Sequence, residues 1–201
     1  RLMTPTNMSN LTSSLLLLPL ALLLCATGCV TVTFPEPMPV HRRNLKSFPK
    51  SWQGEWKAVN DGKEDAENED VMTIVSDRIL SDGQEDLVIG EQVVLRRMGR
   101  RLVLNIEGEG QSPRWTLAVA QKSGDQILVR QLDPKLPGAL RRWGNVVGED
   151  RIKLVYDEDD PNDKLREVQL DPRGNAAFRR LVRFGASETM TYQRVQKEPT
   201  P

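Results

Sequence analysis

Apolar and polar residues alternate with a period of two along most of the chain after residue 51. In Trp52–Ala58, for example, both tryptophans fall on one face, and the glutamine, glutamate and lysine fall on the other. The same alternation recurs at 102–107, 114–119 and 151–156. Strands with one buried face and one wet face are typical of antiparallel sheets. The pattern therefore predicts a single all-β domain over residues 52–195.

Turn sequences that contain glycine or proline separate the predicted strands at short intervals. Strands are predicted at 91–97, 100–107, 114–122, 126–132, 151–157, 165–170, 176–184 and 188–195. With the segments closer to Trp52, this makes about ten strands. The one helix that we expect is a short one at Ala139–Trp143. Many sequential hairpins favour a single antiparallel up-and-down β-barrel or a sandwich, and a closed barrel leaves no open edge.

An apolar run of ten residues, Leu15–Leu24, precedes the predicted domain. A helix that spans a bilayer needs roughly 20 residues, whereas the apolar core of a secretory signal has about 7–15. Three small residues and a cysteine follow, namely Ala26, Thr27, Gly28 and Cys29. This stretch resembles the lipobox of bacterial lipoproteins. The resemblance implies that residues 1–28 are cleaved and that the thiol of Cys29 carries a diacylglyceryl lipid.

The lipobox resemblance also implies a location and an anchor. We expect the protein in the bacterial cell envelope, held by its lipid, at the outer membrane and facing the periplasm. Cys25 is an alternative acceptor, but the bulky Leu24 before it favours Cys29. The alternatives are a cleaved signal without a lipid and an uncleaved membrane helix.

Residues 29–51 are predicted to be a lipidated tether, because four prolines interrupt this stretch. Proline removes a backbone donor and fixes φ, which disfavours both helix and central strand. We expect a semi-extended spacer that holds the domain off the membrane. Its basic residues, His41, Arg42, Arg43 and Lys46, are either solvated or in contact with anionic head groups. Residues 196–201 are expected to be a disordered tail.

Two short motifs lie at opposite ends of the predicted domain. Gly54-Glu55-Trp56 resembles the GxW motif that opens lipocalins and related calycin barrels, and Tyr192-Gln193-Arg194 resembles their last strand. The resemblance implies that Arg194 lies over the indole of Trp56 and closes the barrel, a cation–π contact. It also implies an interior that binds an apolar small molecule. The segment 133–149 has no counterpart in that family.

The chain carries 28 basic and 28 acidic residues, without the basic excess of nucleic-acid-binding proteins. We therefore expect no nucleic-acid partner. Four arginines nevertheless flank the predicted turn at Met98-Gly99, namely Arg96, Arg97, Arg100 and Arg101. Such a hairpin tip could bind phosphate or carboxylate groups of envelope polymers. Alternatively, its charges only protect a strand edge from pairing with other chains.

The sequence offers little material for catalysis or metal binding. The only histidine lies in the predicted tether, and both cysteines lie in or beside the signal. The acidic stretches 61–70 and 157–163 do not match the ligand spacing of an EF-hand, and the chain contains no phosphate-binding glycine loop or nucleophile elbow. We therefore expect a protein that is not an enzyme, with no catalytic residue, no metal and no cofactor besides the lipid on Cys29.

These observations favour a lipid-anchored envelope protein with a scaffolding or interaction role. Its partners would be the membrane and an envelope protein or polymer. The first alternative is lipocalin-like binding of an apolar small molecule, which would require an interior cavity of about 300 Å³ or more. The second alternative is a hydrolase that uses a pair of carboxylates, since pairing in space is not visible in a sequence.

Overall fold

The computed structural model describes residues 30–59, 71–81, 83–108, 114–157, 164–185 and 187–196. The predicted signal and lipidation motif Ala26–Cys29, the acidic stretches 61–70 and 158–163, and the tail 197–201 lie outside these residues. The strands are β1 (Thr31–Thr33), β2 (Asn44–Leu45), β3 (Gly54–Val59), β4 (Val71–Ile74), β5 (Arg78–Ser81), β6 (Leu87–Val88), β7 (Val93–Met98), β8 (Arg101–Glu107), β9 (Trp115–Ser123), β10 (Gln126–Leu132), β11 (Ile152–Tyr156), β12 (Leu165–Leu170) and β13 (Ser187–Arg194). The helices are α1 (Ala139–Val147) and α2 (Gly174–Phe184), and single 3₁₀ turns lie at Lys50–Trp52 and Glu149–Arg151.

Ten of these strands form one antiparallel sheet in the order β2-β7-β8-β9-β10-β13-β3-β4-β5-β6. The sheet curls into a half-barrel, so the predicted all-β class is confirmed. The remaining three strands form a small sheet in the order β1-β12-β11, in which β1 runs parallel to β12. β13 lies between β10 and β3, so the last strand of the chain pairs with the strand that carries Trp56.

The predicted turns at Gly99 and Gly124 connect hairpins as expected. Gly99 joins β7 to β8 and Gly124 joins β9 to β10, with φ of +63° and +57°. A residue with a side chain rarely adopts this left-handed conformation, and glycine does so without strain. The two hairpins form a continuous four-stranded part of the large sheet, and this part carries the turn with the predicted arginines.

The large sheet buries side chains on both faces. Its concave face encloses a core that includes Trp52, Trp56, Leu95, Leu102, Leu104, Ala118, Ala120, Ile127 and Tyr192. Its convex face, at β8 and β9, packs Val103, Leu117 and Val119 against a second core from α1, α2, β12 and residues 34–40. The expectation of one wet face is therefore wrong for β8 and β9. A second layer, which the alternation of a single strand does not reveal, covers the face that we expected to be exposed.

The helix predicted at Ala139–Trp143 is present as α1 and continues to Val147. The strand predicted at 176–184 is instead α2. Its buried residues, Phe178, Leu181 and Val182, are spaced by three and one, which places them on one face of a helix. The arginines at 179, 180 and 183 then occupy the other face. The spacing of the apolar residues thus indicated a helix, although the segment is short and a glycine flanks it at each end.

Residues 30–51 pack on the domain rather than forming the predicted spacer. Phe34, Met38 and Phe48 are buried. β1 is part of the small sheet, and β2 is part of the large sheet. The backbone N–H of Met38 donates to Oδ1 of Asn105 at 2.6 Å, and Nδ2 of Asn105 donates to the carbonyl of Met38 at 2.9 Å. Burial of Phe34 and Met38 in the convex core and of Phe48 in the concave core therefore holds this segment on the domain.

Candidate functional site

The first candidate site, called the closure below, is the pairing of β3 with β13 within the half-barrel sheet, where the contact predicted between Trp56 and Arg194 is present. Trp56 is fully buried, and the guanidinium carbon Cζ of Arg194 lies 4.2 Å from the centroid of its ring. Nη1 of Arg194 donates to the carbonyl of Gln53 at 2.9 Å, and Nη2 donates to the carbonyl of Ser51 at 2.7 Å. The guanidinium thus satisfies the carbonyls of the 3₁₀ turn that precedes β3.

Gly54 is required by the same contact. Its φ is +134°, and a Cβ atom built on it would lie 2.5 Å from Nη1 of Arg194. A larger residue would therefore be strained and would displace the guanidinium. Nε1 of Trp56 donates to the carbonyl of Trp52 at 2.9 Å, so the indole has its partner as well. Nε of Arg194 also lies 3.5 Å from Oδ1 of Asp125, so the indole and the guanidinium are both held by partners within the fold.

The interior of the half-barrel is nearly filled. The cavity between Phe48, Trp52 and Tyr192 measures about 50 Å³. Pockets that enclose small molecules usually measure about 300–1,000 Å³. The bulky aromatic side chains occupy the space in which a lipocalin-like ligand would lie.

The second candidate site is a groove on the outside of the domain, with a volume of about 1230 Å³. Three segments form it: residues 39–45, the turn between β7 and β8, and the exposed face of α2. Eight arginines line this arginine groove: Arg42, Arg43, Arg97, Arg100, Arg101, Arg179, Arg180 and Arg183. Among the described residues that line it, none is acidic and none is lysine. The groove is therefore a concentrated cationic surface on a chain of zero net charge.

The structure places three of the four predicted tip arginines in the groove and one outside its lining. Arg97, Arg100 and Arg101 line it, whereas Arg96 points to the segment 37–44. Nε of Arg96 donates to Oδ1 of Asn44 at 2.9 Å, and Nη1 donates to the carbonyls of Pro37 and Pro39. Burial lowers the pKa of Arg96 from its ordinary value. Arg96 therefore fixes one wall of the groove in place instead of facing a ligand.

The arginines of α2 were not predicted as part of the site, because the segment 176–184 reads as a strand in the sequence. The helix places residues 175, 176, 179, 180, 183 and 184 on one face, and this face lines the groove. Its apolar face packs against the convex core. The spacing of Phe178, Leu181 and Val182 is the signal that could have revealed this arrangement.

Most groove arginines have no internal partner among the described residues. The exceptions are Arg101, whose Nε donates to Oε1 of Gln121 at 3.0 Å, and Arg183, which lies 5.0 Å from the ring of Phe184. Several arginines elsewhere pair with carboxylates: Arg78 pairs with Asp77 and Asp86, Arg114 with Glu167, and Arg151 with Asp171. Like charges brought together repel one another, so the groove is electrostatically suited to an anion.

The chemistry available in the groove is anion binding. Guanidinium groups form paired, charge-assisted hydrogen bonds with phosphate and carboxylate oxygens.

No group of three or more histidine, cysteine or acidic side chains among the described residues is arranged to hold a metal ion. In the same part of the chain, no helix combines the length and the apolarity that a membrane crossing requires.

Comparisons of the chain with models of known protein families, with characterised proteins and with solved structures find no significant match.

Proposed function

We propose that this protein is a lipid-anchored protein of the bacterial cell envelope, and that its β-domain is an interaction module for anionic partners. The observation that carries the proposal is the arginine groove, which eight arginines line without an acidic residue among the described lining residues. Such a surface costs stability through repulsion, and the binding of an anion offsets that cost. The interaction role was expected from the sequence, and the cationic lining of the groove supports the proposal.

The filled interior supports an interaction role over the lipocalin-like alternative. A cavity of about 50 Å³ is several times smaller than the pockets that usually hold small molecules. The contact between Trp56 and Arg194 is in keeping with a calycin-type barrel. However, side chains fill the interior of this domain and leave a cavity of only about 50 Å³. The partner is therefore proposed to bind on the outer surface.

The anchor is proposed from the lipobox resemblance at Ala26, Thr27, Gly28 and Cys29. Val30 packs against the convex core, and β1 begins at Thr31. A lipid on Cys29 would therefore sit directly beside the folded domain and keep it at the membrane surface. Envelope membranes and polymers carry phosphate and carboxylate groups, so this position would bring the groove close to suitable anions.

The anchor is tested by metabolic labelling with a radioactive fatty acid. We expect the Cys29→Ser chain to lose the label and to remain uncleaved, because the acceptor thiol is gone. The matched variant Cys25→Ser should keep the label. Loss of the label in Cys25→Ser alone would assign the lipid to the other cysteine, and no labelling of the wild-type chain would refute the anchor.

Anion binding is tested by titrating the full chain with inorganic polyphosphate and following the binding by calorimetry. Arg100→Gln/Arg179→Gln removes one exposed arginine from each of two walls of the groove. We expect its affinity to fall by roughly 100-fold or more, because it loses at least two charge-assisted hydrogen bonds of about 1.5–3 kcal/mol each. The control Lys153→Gln/Arg166→Gln makes the same charge change at exposed positions outside the groove. Equal losses in both variants would contradict the proposal, since they would indicate unspecific attraction.

A further inference from the structure

We infer that the arginine groove binds the phosphate-bearing headgroup of an anionic membrane lipid, with Phe184 in contact with the apolar part of that lipid. This inference rests on the proposed function and names the ligand of the same groove. Three observations carry it: the choice of cation, the exposed aromatic residue beside the arginines, and the packing of residues 30–34 on the domain that bears the groove.

All the cations that line the groove are arginines. A guanidinium offers a planar fork of donors that matches two phosphate oxygens at once, whereas an ammonium acts as a point charge. Arg42 and Arg43 lie on one wall, Arg100 lies at the turn, and Arg179 and Arg180 lie on α2. A phosphate between these walls would be contacted from several directions. The geometry suits a compact, multiply charged headgroup that enters a concave site.

Phe184 gives the groove an amphiphilic edge. It is the last residue of α2, it lines the groove, and 58% of its surface is exposed. It is the most exposed large apolar side chain among the described residues. The guanidinium of Arg183 lies 5.0 Å from its ring. A soluble polyanion would leave this ring in water, whereas an acyl chain or the interfacial region of a bilayer would cover it.

The position of the domain favours a lipid over a soluble polymer. Residues 30–34 pack on the domain instead of forming a spacer, so an acylated Cys29 would hold the domain directly against the bilayer. The groove would then be separated from lipid headgroups by at most the diameter of the domain, roughly 40 Å. A weak lipid site gains effective concentration when it is tethered so closely, and a lipid chain combined with a basic patch is a known basis for stable membrane attachment.

The test uses the full chain with Cys29→Ser in every variant, so that acylation does not contribute. Binding is measured by co-sedimentation with vesicles of phosphatidylcholine alone and of phosphatidylcholine mixed with phosphatidic acid. The ratio of the two partition coefficients cancels any apolar contribution of residues 15–24. A parallel titration with inorganic polyphosphate reports the binding of soluble phosphate.

We expect the vesicle ratio of Arg100→Gln/Arg179→Gln to fall by roughly 20-fold, because each arginine near an anionic surface contributes roughly fivefold. Phe184→Ser should lower partitioning into the mixed vesicles by about tenfold, as expected for burying part of an aromatic side chain. It should leave polyphosphate binding within about twofold. Tyr156→Ser, a matched change at an exposed aromatic residue outside the groove lining, should change neither binding.

Two results would overturn the inference while leaving the proposed function intact. The first is binding of polyphosphate without preference for the vesicles that contain phosphatidic acid, which would indicate a soluble polyanion. The second is an equal effect of Phe184→Ser and Tyr156→Ser on vesicle binding, which would contradict the proposed contact between Phe184 and the lipid. Absence of binding to both polyphosphate and anionic vesicles would instead refute the proposed function itself.

Discussion

Arg194 and the arginines of the groove show two uses of the same side chain in one domain. Arg194 lies over a buried tryptophan and donates to two backbone carbonyls at 2.9 and 2.7 Å. The groove arginines at 42, 43, 97, 100, 179 and 180 lie close to other arginines and have no internal hydrogen-bond acceptor among the described residues. The first arrangement satisfies a charge within the fold, and the second leaves charges available to a ligand.

The two arrangements differ in their expected contribution to the free energy of unfolding. A cation that is partly desolvated and hydrogen-bonded to the backbone stabilises the fold, whereas exposed like charges destabilise it slightly. The groove has a volume of about 1230 Å³, whereas the cavity inside the half-barrel measures about 50 Å³. Substitutions in the two regions should therefore have opposite effects on the free energy of unfolding.

The largest expected effect is that of Trp56→Ala at the closure. Removing a fully buried tryptophan should lower the free energy of unfolding by about 3–5 kcal/mol, because it leaves a cavity and exposes Arg194 to an empty space. Urea unfolding of the full chain, followed by circular dichroism, measures this loss. A loss below about 1 kcal/mol, the size of an ordinary surface change, would mean that the closure does not support the barrel.

Gly54→Ala should have the next largest effect. The added methyl group would meet Nη1 of Arg194 on a backbone at φ +134°, and strain of this kind costs about 1–3 kcal/mol. Gly124→Ala is the matched control, because Gly124 also has positive φ but has open space around it. The control should lose about 1 kcal/mol in the same urea titration. Equal losses would show that only backbone conformation, and not the guanidinium, selects glycine at position 54.

Arg194→Ala should lower the free energy of unfolding by about 2 kcal/mol, the value of a desolvated cation–π contact. Because the two side chains touch, the double variant Trp56→Ala/Arg194→Ala should lose less than the sum of the single losses, by about 0.5 kcal/mol or more. A double-mutant cycle in urea measures this coupling. Strict additivity would separate the two residues energetically and weaken the resemblance to calycin barrels.

The smallest effect, with the opposite sign, is expected in the groove. Arg100→Gln/Arg179→Gln should leave the free energy of unfolding unchanged or raise it by up to about 0.5 kcal/mol, because it relieves repulsion. Added salt should stabilise the wild-type chain slightly more than this variant, since salt screens exposed charges. A loss above about 1 kcal/mol would show that these arginines hold the fold together, as Arg194 does.

Several local features were predictable from the sequence. The period of two in β8 and β9 and the glycines at 99 and 124 specify hairpins, because both act between residues that are close along the chain. The pair of motifs at Gly54-Trp56 and Arg194 was also predictable, since a glycine and two specific side chains are needed at the closure. In each case, a local turn or a specific contact requires particular residue types, and these residues form a short motif that is visible in the sequence.

Only the tertiary structure decided which strands are buried on both faces and which residues lie together in the groove. The alternation in β8 did not reveal the outer layer that covers Val103, and the prolines of 35–39 did not reveal that Phe34 and Met38 are buried. The groove joins residues 42–43, 97–101 and 179–183, which are remote along the chain. Hydrophobic burial acts without direction and depends on which surfaces come together, so a local pattern cannot specify it.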